Sequence, residues 1–288
     1  MMTPEEESAQ QKQLFDIYSG ILFNNQDFAP GKREKISYVF DCPEYKTLME
    51  KYHIEQIAGE GTAFQRAERL LHWMSPRLKH KPDYDNHVPM NALDLLDYSL
   101  DRPENGMNCR NKSVILTECC LALGIYARRV YIMPYSPYDM DNHVVAEIYD
   151  PELEKWVMLD PTTDGIFFNG QGAPLSLLEL RERFAAHKPA AFTGSEKEEE
   201  MNAYIAKNLF RFMVDGDNGF GLADKRTLYV TPAGYRVKEN QLAAMEYRLG
   251  EIPPDAMRLQ KLFADMLERA REKPEPEAWD ISLMEGKP

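Results

Sequence analysis

The apolar positions of this chain switch between a spacing near 3.6 and a spacing near 2, and each switch marks an element. Leu14, Phe15, Tyr18, Ile21 and Leu22 keep helical spacing until Pro30-Gly31. Ile36 to Phe40 reads as a strand and Pro43 to Tyr52 as a helix. Thr62 caps an amphipathic helix with Phe64, Ala67, Leu70, Leu71 and Met74 on one face, stopped by Ser75-Pro76. Asn91 caps a helix to Leu100, and Arg102-Pro103 and Asn105-Gly106 lead out of it. Asn108 caps the next helix, which opens on Cys109 and ends at Gly124, a natural left-handed stop. Three β-branched and aromatic runs follow: Ile125 to Met133, His143 to Tyr149 and Lys155 to Asp160. The last two flank DPEL, a turn signal with proline at its second position.

Ser176 with Glu179, and Ser195 with Glu198, have capping-box spacing; the second box predicts a helix from Ser195 to Phe212. Arg226 to Val237 reads as a hairpin about Pro232-Ala233-Gly234. Helices over Glu239–Leu249 and Asp255–Arg271 and a Pro-rich, loosely packed tail complete the chain.

Three reactive side chains occupy telling places on this frame. Ile115, Leu116, Cys119, Cys120 and Leu123 form one buried stripe, with Cys109 at its head. The thiol therefore sits at a helix N-terminus, where free N–H groups and the helix dipole favour a thiolate. A turn centred between Pro151 and Glu152 sets His143 opposite Asp160 across the hairpin, with Cβ atoms about 4.5–5.5 Å apart. A longer loop would slide the register by two and keep both on the same face. A carboxylate that orients an imidazole beside a thiolate is the nucleophile–base–orienter arrangement of covalent acyl transfer. Cys119 and Cys120 lie mid-helix in the apolar stripe and read as core.

Asn-Cys at a helix start, Leu-Gly-Ile-x-Ala-Arg-x-Val, Asn-His-Val-Val-x-Glu and Trp-Val-x-Leu-Asp-Pro-Thr, in that order, resemble the transglutaminase-like superfamily. The resemblance runs from Thr62 to Pro189 and is best from Asn105 to Thr163. It departs at Val145, where many relatives carry an aromatic, and at Arg110, Asn111 and Lys112, where small residues are common. It implies an α+β fold of papain type, with the catalytic helix packed on an antiparallel sheet. Residues 61–190 would form that core, with an N-terminal extension over 1–60 and a C-terminal α+β extension over 191–288. It implies Cys109, His143 and Asp160 as a triad acting on peptide or protein amides through a thioester, with no metal and no organic cofactor. Hydrolysis is the simpler outcome, because nothing marks an amine site; cross-linking is the variant. The alternative is an idle module that keeps the fold and binds a peptide or partner protein.

Bulk properties narrow the setting. The 288 residues carry a net charge of −13, which argues against nucleic acid and anionic membrane as partners. Four cysteines with no C-x-x-C do not make a disulfide framework, and a reducing, cytoplasmic compartment suits them. The acidic, polar N-terminus does not read as a signal peptide, and no apolar run approaches the length of a membrane span. The sequence does not set an oligomeric state. His80, Asp83, Asp85 and His87 match no metal-ligand spacing and read as a solvated loop. Asp215 to Gly221 begins like a calcium loop, but Phe220 stands where that loop needs glycine, so it reads as a tight turn. Tyr135 to Asn142 is an aromatic and acidic loop expected to lie over the cleft.

Overall fold

The computed structural model describes residues 2–33, 35–102, 104–221 and 226–288; Pro103, in the lead-in to the Cys109 helix, lies outside them. Its helices are α1 (Pro4–Phe23), α2 (Pro43–Tyr52), α3 (Ile54–Ala58), α4 (Ala63–Met74), α5 (Ala92–Asp101), α6 (Cys109–Ala122), α7 (Leu177–Ala185), α8 (Glu198–Asn208), α9 (Val237–Glu251), α10 (Met257–Glu272) and α11 (Ser282–Glu285). Its strands are β1 (Ser37–Tyr38), β2 (Lys79–His80), β3 (Gly106–Met107), β4 (Ala127–Met133), β5 (His143–Asp150), β6 (Lys155–Leu159), β7 (Ile166–Phe168), β8 (Ala191–Thr193), β9 (Arg211–Asp215), β10 (Asp217–Asn218) and β11 (Thr227–Val230).

The organising element is a five-stranded antiparallel sheet in the order β11-β9-β4-β5-β6. β5 is buried along its whole length. One face carries Ala127, Ala146, Ile148, Val157 and Leu159, packed against α6 and α4, with α5 packed on α6. The other carries Val130, Ile132, Val145, Met158, Phe212 and Val214, packed against α1, α7 and α8. The alternation of neighbours between the two cores follows from the period-2 geometry of a strand covered on both sides. The fold is thus α+β, a papain-like core with helix α6 laid across an antiparallel sheet.

Local caps hold the helices where side chains can supply them. Thr62 and Gln65 form a capping box on α4, and the side chains of Asn91 and Asn108 cap α5 and α6. α1 is longer than its apolar spacing indicates, because Thr3 and Glu6 form a capping box that extends it to Pro4.

Three expectations fail in the C-terminal third. Ser195 does not cap α8: its N–H and hydroxyl both donate to the Thr163 carbonyl, while Glu198 accepts from the Phe192 N–H, so the helix starts at Glu198. That helix stops at Asn208, because Arg211 to Asp215 turns into a strand lying between β11 and β4. Arg226 to Val237 is not a hairpin: β11 pairs with β9, and the chain passes through Pro232 directly into α9. The tail is not loose either. Trp279 is buried, and its N–H donates to the Tyr229 carbonyl. The buried Arg128 guanidinium donates to the carbonyls of Leu283 and Met284 and bonds Glu147 through Nε and Nη2. Among the described residues no helix is long and apolar enough to cross a membrane.

Candidate active site

Cys109 is the first residue of α6, and two bonds fix that helix start against the middle of the sheet. The Ser113 hydroxyl, one turn after Cys109, donates to the Val144 carbonyl at 2.9 Å. The Val144 N–H in turn faces the Cys109 sulfur. The i, i+4 pair of cysteine and serine therefore meets both backbone polar groups of one β5 residue, Val144, immediately after His143. The Asn108 side chain accepts the Asn111 N–H at 3.2 Å and donates to Asn86 Oδ1 at 3.1 Å, which locks the approach to the helix.

The hairpin places the other two groups. Ala146 pairs with Leu159 and Asp150 with Lys155, so the turn is centred between Glu152 and Leu153, one residue later than the shorter turn would put it. The cause is the four-residue loop. Asp150 Oδ1 accepts from the N–H groups of Glu152 and Leu153, and Glu154 takes a left-handed conformation, φ 53°, to rejoin the strand. His143 and Asp160 are thus not directly opposite. The slide of two residues keeps them on one face, and His143 Nε2 reaches Asp160 Oδ2 at 2.9 Å.

Both groups are buried, His143 at 3% and Asp160 at 0% exposure. Asp160 Oδ2 also accepts the Thr163 hydroxyl, and Oδ1 accepts the Thr162 N–H, each at 2.9 Å. Burial would raise this carboxyl, but the charge and hydrogen bond of His143, with the two threonine donors, hold it below its usual range. An ionised carboxylate only accepts, so His143 Nε2 carries the proton and Nδ1 is left for Cys109. Burial pulls the imidazole down, and Asp160 and then Cys109 overcome it, leaving it raised well above an ordinary histidine. Burial likewise pushes the Cys109 thiol up, and the hydrogen bond and charge of His143 outweigh it, so the thiol lies below its ordinary value. Cys119 and Cys120, wholly buried in α6, are pushed the opposite way, Cys120 to about 12. The surroundings of α6 thus lower the thiol at its first residue and raise the two in its interior.

Other residues surround this centre without a signal in their local sequence. Tyr204 of α8 stacks edge-on over His143, ring centroids 5.4 Å apart, and its hydroxyl donates to Asp141 at 3.2 Å. Lys207 binds Asp139 and Asp141. The 135–142 loop is therefore tied down over His143 by a helix more than fifty residues downstream. Lys112 is buried in α6 one turn after Cys109. His72 pairs with Asp164 at 2.8 Å just beyond the end of β6. His80 lies within electrostatic reach of His143 and Asp160, whereas His87 contacts Asp85 and packs edge-on against Tyr84 and Tyr98. Among the described residues no group of three His, Cys, Asp or Glu side chains is placed to hold a metal ion.

The comparisons with known proteins can be set on this geometry. Residues 50–161 match the transglutaminase-like superfamily. The matched segment begins in α2 and closes one residue after Asp160, so it spans Cys109, His143 and Asp160. A crystal structure of a candidate cysteine protease from Cytophaga hutchinsonii is similar at 16% identity and a TM-score of 0.33, over 57% of this chain and 57% of that one. The aligned part is little over half of either protein. No curated protein matches the sequence. The match to the transglutaminase-like superfamily thus covers α4, α6, β4, β5 and β6, while β9, β11 and α8, which complete the sheet and cover His143, lie beyond the matched residues.

Proposed function

We propose that this protein is a cysteine-dependent hydrolase of peptide or side-chain amides, with Cys109 as nucleophile, His143 as base and then acid, and Asp160 as orienter. The observation that carries the reading is the buried His143–Asp160 bond at 2.9 Å on the strand that faces Cys109 at the start of α6. The Cys109 thiolate attacks the amide carbonyl, and the developing oxyanion meets the Cys109 N–H at the helix start. His143 donates its Nδ1 proton to the leaving amine as the C–N bond breaks, which leaves a thioester. Water, deprotonated at the same nitrogen, attacks the thioester; the C–S bond breaks, Cys109 departs as the thiolate beside the newly protonated His143, and the carboxylic acid product loses its proton to solvent. No step needs a metal or an organic cofactor. Hydrolysis is favoured over cross-linking because no residue around the centre marks a site for an acceptor amine.

Peptides or proteins are the expected substrates, and neither nucleic acid nor membrane is. Four free cysteines favour a cytoplasmic setting. Residues 61–190 form the catalytic unit of this proposal, with 1–60 and 191–288 as flanks that pack on it. A screen of activity-based probes and a peptide library, with Cys109→Ala as control, tests the reading. Covalent labelling that Cys109→Ala abolishes supports it. Binding of peptide without labelling or turnover would leave an idle binding module in its place.

A further inference from the structure

We propose that Lys112 is an anion-recognition residue beside Cys109, where its ammonium receives a substrate carboxylate next to the scissile amide. The inference rests on Cys109 being the nucleophile.

A lysine side chain exposed by only 1% is uncommon, and it is costly when nothing neutralises it. Among the described residues, three of the four buried arginines have oxygen partners, Arg128 on Glu147, Arg129 on Asp215 and Arg181 on the carbonyls of Leu209 and Asn25, and the fourth, Arg211, bonds the Met133 sulfur and lies over the Tyr235 ring. The Lys112 amine has neither hydrogen bond nor ion pair among the described residues. Two carboxylates bear on it, and both are taken. Asp160 is engaged by His143, Thr162 and Thr163, and Asp164 by His72. Lys112 follows Cys109 by three residues on α6, so the two side chains are neighbours on one side of the helix.

Burial pulls the amine down to about 8 against the opposing pull of Asp160 and Asp164, so it is still mostly charged at neutral pH. His80 is also within its field. Burial first, then Lys112 and His143, keep that imidazole below its ordinary value, so it adds no competing charge near neutrality. One cation with two acidic neighbours suits a monoanion. A dianionic phosphate would meet the charge of Asp160 and Asp164 with only one ammonium to offset it.

The test compares iodoacetate with iodoacetamide on the full chain, reading Cys109 alkylation by peptide mass. Both reagents need the same thiolate, so their rate ratio isolates the effect of the reagent's carboxylate. In the wild type the iodoacetate preference falls as pH rises through about 8, where Lys112 loses its charge. Lys112→Met lowers the ratio about tenfold, the scale of one partly screened charge, and Lys112→Arg keeps much of it. Lys112→Gln replaces Lys112→Met if the latter does not melt cooperatively. N-acetylglycine and N-acetylaspartate α-amide serve as competitors that separate a main-chain from a side-chain carboxylate. Protection by either that is lost in Lys112→Met supports the proposal. An unchanged ratio in Lys112→Met, with Cys109 alkylated normally by iodoacetamide, overturns it. If iodoacetamide does not modify wild-type Cys109 at all, it is the nucleophile reading that fails.

Discussion

Asp160→Asn changes charge with almost no change of volume. The three bonds on Asp160 say what it would do. The asparagine carbonyl can still accept from the Thr162 N–H, but its amide group then faces His143 Nε2, where a carboxylate oxygen now accepts at 2.9 Å. Two N–H groups cannot bond one another, so the imidazole must move its proton to Nδ1 to accept instead. That nitrogen faces Cys109, and once protonated in a neutral ring it can no longer take the thiol proton. Turnover should fall by about 10²–10⁴-fold, the scale of orienter loss in comparable sites, and the Cys109 thiol should rise.

The stability cost is smaller. One charge-assisted bond, worth about 1.5–3 kcal/mol, becomes a neutral one worth about 1 kcal/mol, for a net loss of about 1–2 kcal/mol. Asp160→Ala strands three donors at a site with 0% exposure and should cost about 3–5 kcal/mol. Because the folded-state carboxyl lies below its unfolded value, its contribution is present above the ordinary carboxylate range and is lost on acidification through the folded value. Because His143 is raised, its contribution holds below the ordinary histidine value and is lost only as pH rises through about 10. The gap in melting temperature between wild type and Asp160→Asn should therefore be widest between those limits, where both members are charged, and shrink in acid. Steady-state rates and melting curves across pH measure both effects. Near-wild-type turnover, with an unmoved alkylation profile for Cys109, would refute the tautomer argument.

His143→Ala should abolish turnover nearly as completely as Cys109→Ala, while Cys109→Ala, at a helix rim, should leave the melting temperature almost unchanged. Arg128→Met should cost about 3–5 kcal/mol by stranding the Glu147 carboxylate, and Arg128→Met with Glu147→Gln should recover part of it, as read in denaturant melts. Limited proteolysis should spare the chain apart from its termini; a stable fragment released by a cut near Thr193 would show that the C-terminal strands do not depend on the sheet.

The site was legible in the sequence where its cause was local. Caps at Thr62, Asn91 and Asn108 announce their helices because one side chain closes the first turn. The placement of Cys109 follows from that cap, and the common face of His143 and Asp160 follows from strand parity. Their exact register did not, because it depends on the left-handed Glu154 and the two bonds to Asp150. β9 was hidden for a tertiary reason. Arg211 to Asp215 continues the helical spacing of α8 in sequence, and only its place between β4 and β11 makes it a strand. Tyr204 could not be assigned to the site from its neighbours, since the contact with His143 spans about sixty residues and exists only once α8 is laid on the sheet. Lys112 did leave a trace, a lone cation inside a run of residues that the helix buries.

The most direct test of the thiolate–imidazolium account is the pH dependence of iodoacetamide capture at each cysteine of the native chain, resolved by peptide mass. The account predicts that Cys109 reacts below the pH at which an ordinary thiol ionises, about 8.5, while Cys119 and Cys120 stay unmodified until the chain unfolds. It also predicts that His143→Ala returns Cys109 to a slow, alkaline profile. A wild-type Cys109 that titrates no earlier than Cys42, or that is indifferent to His143→Ala, would contradict it.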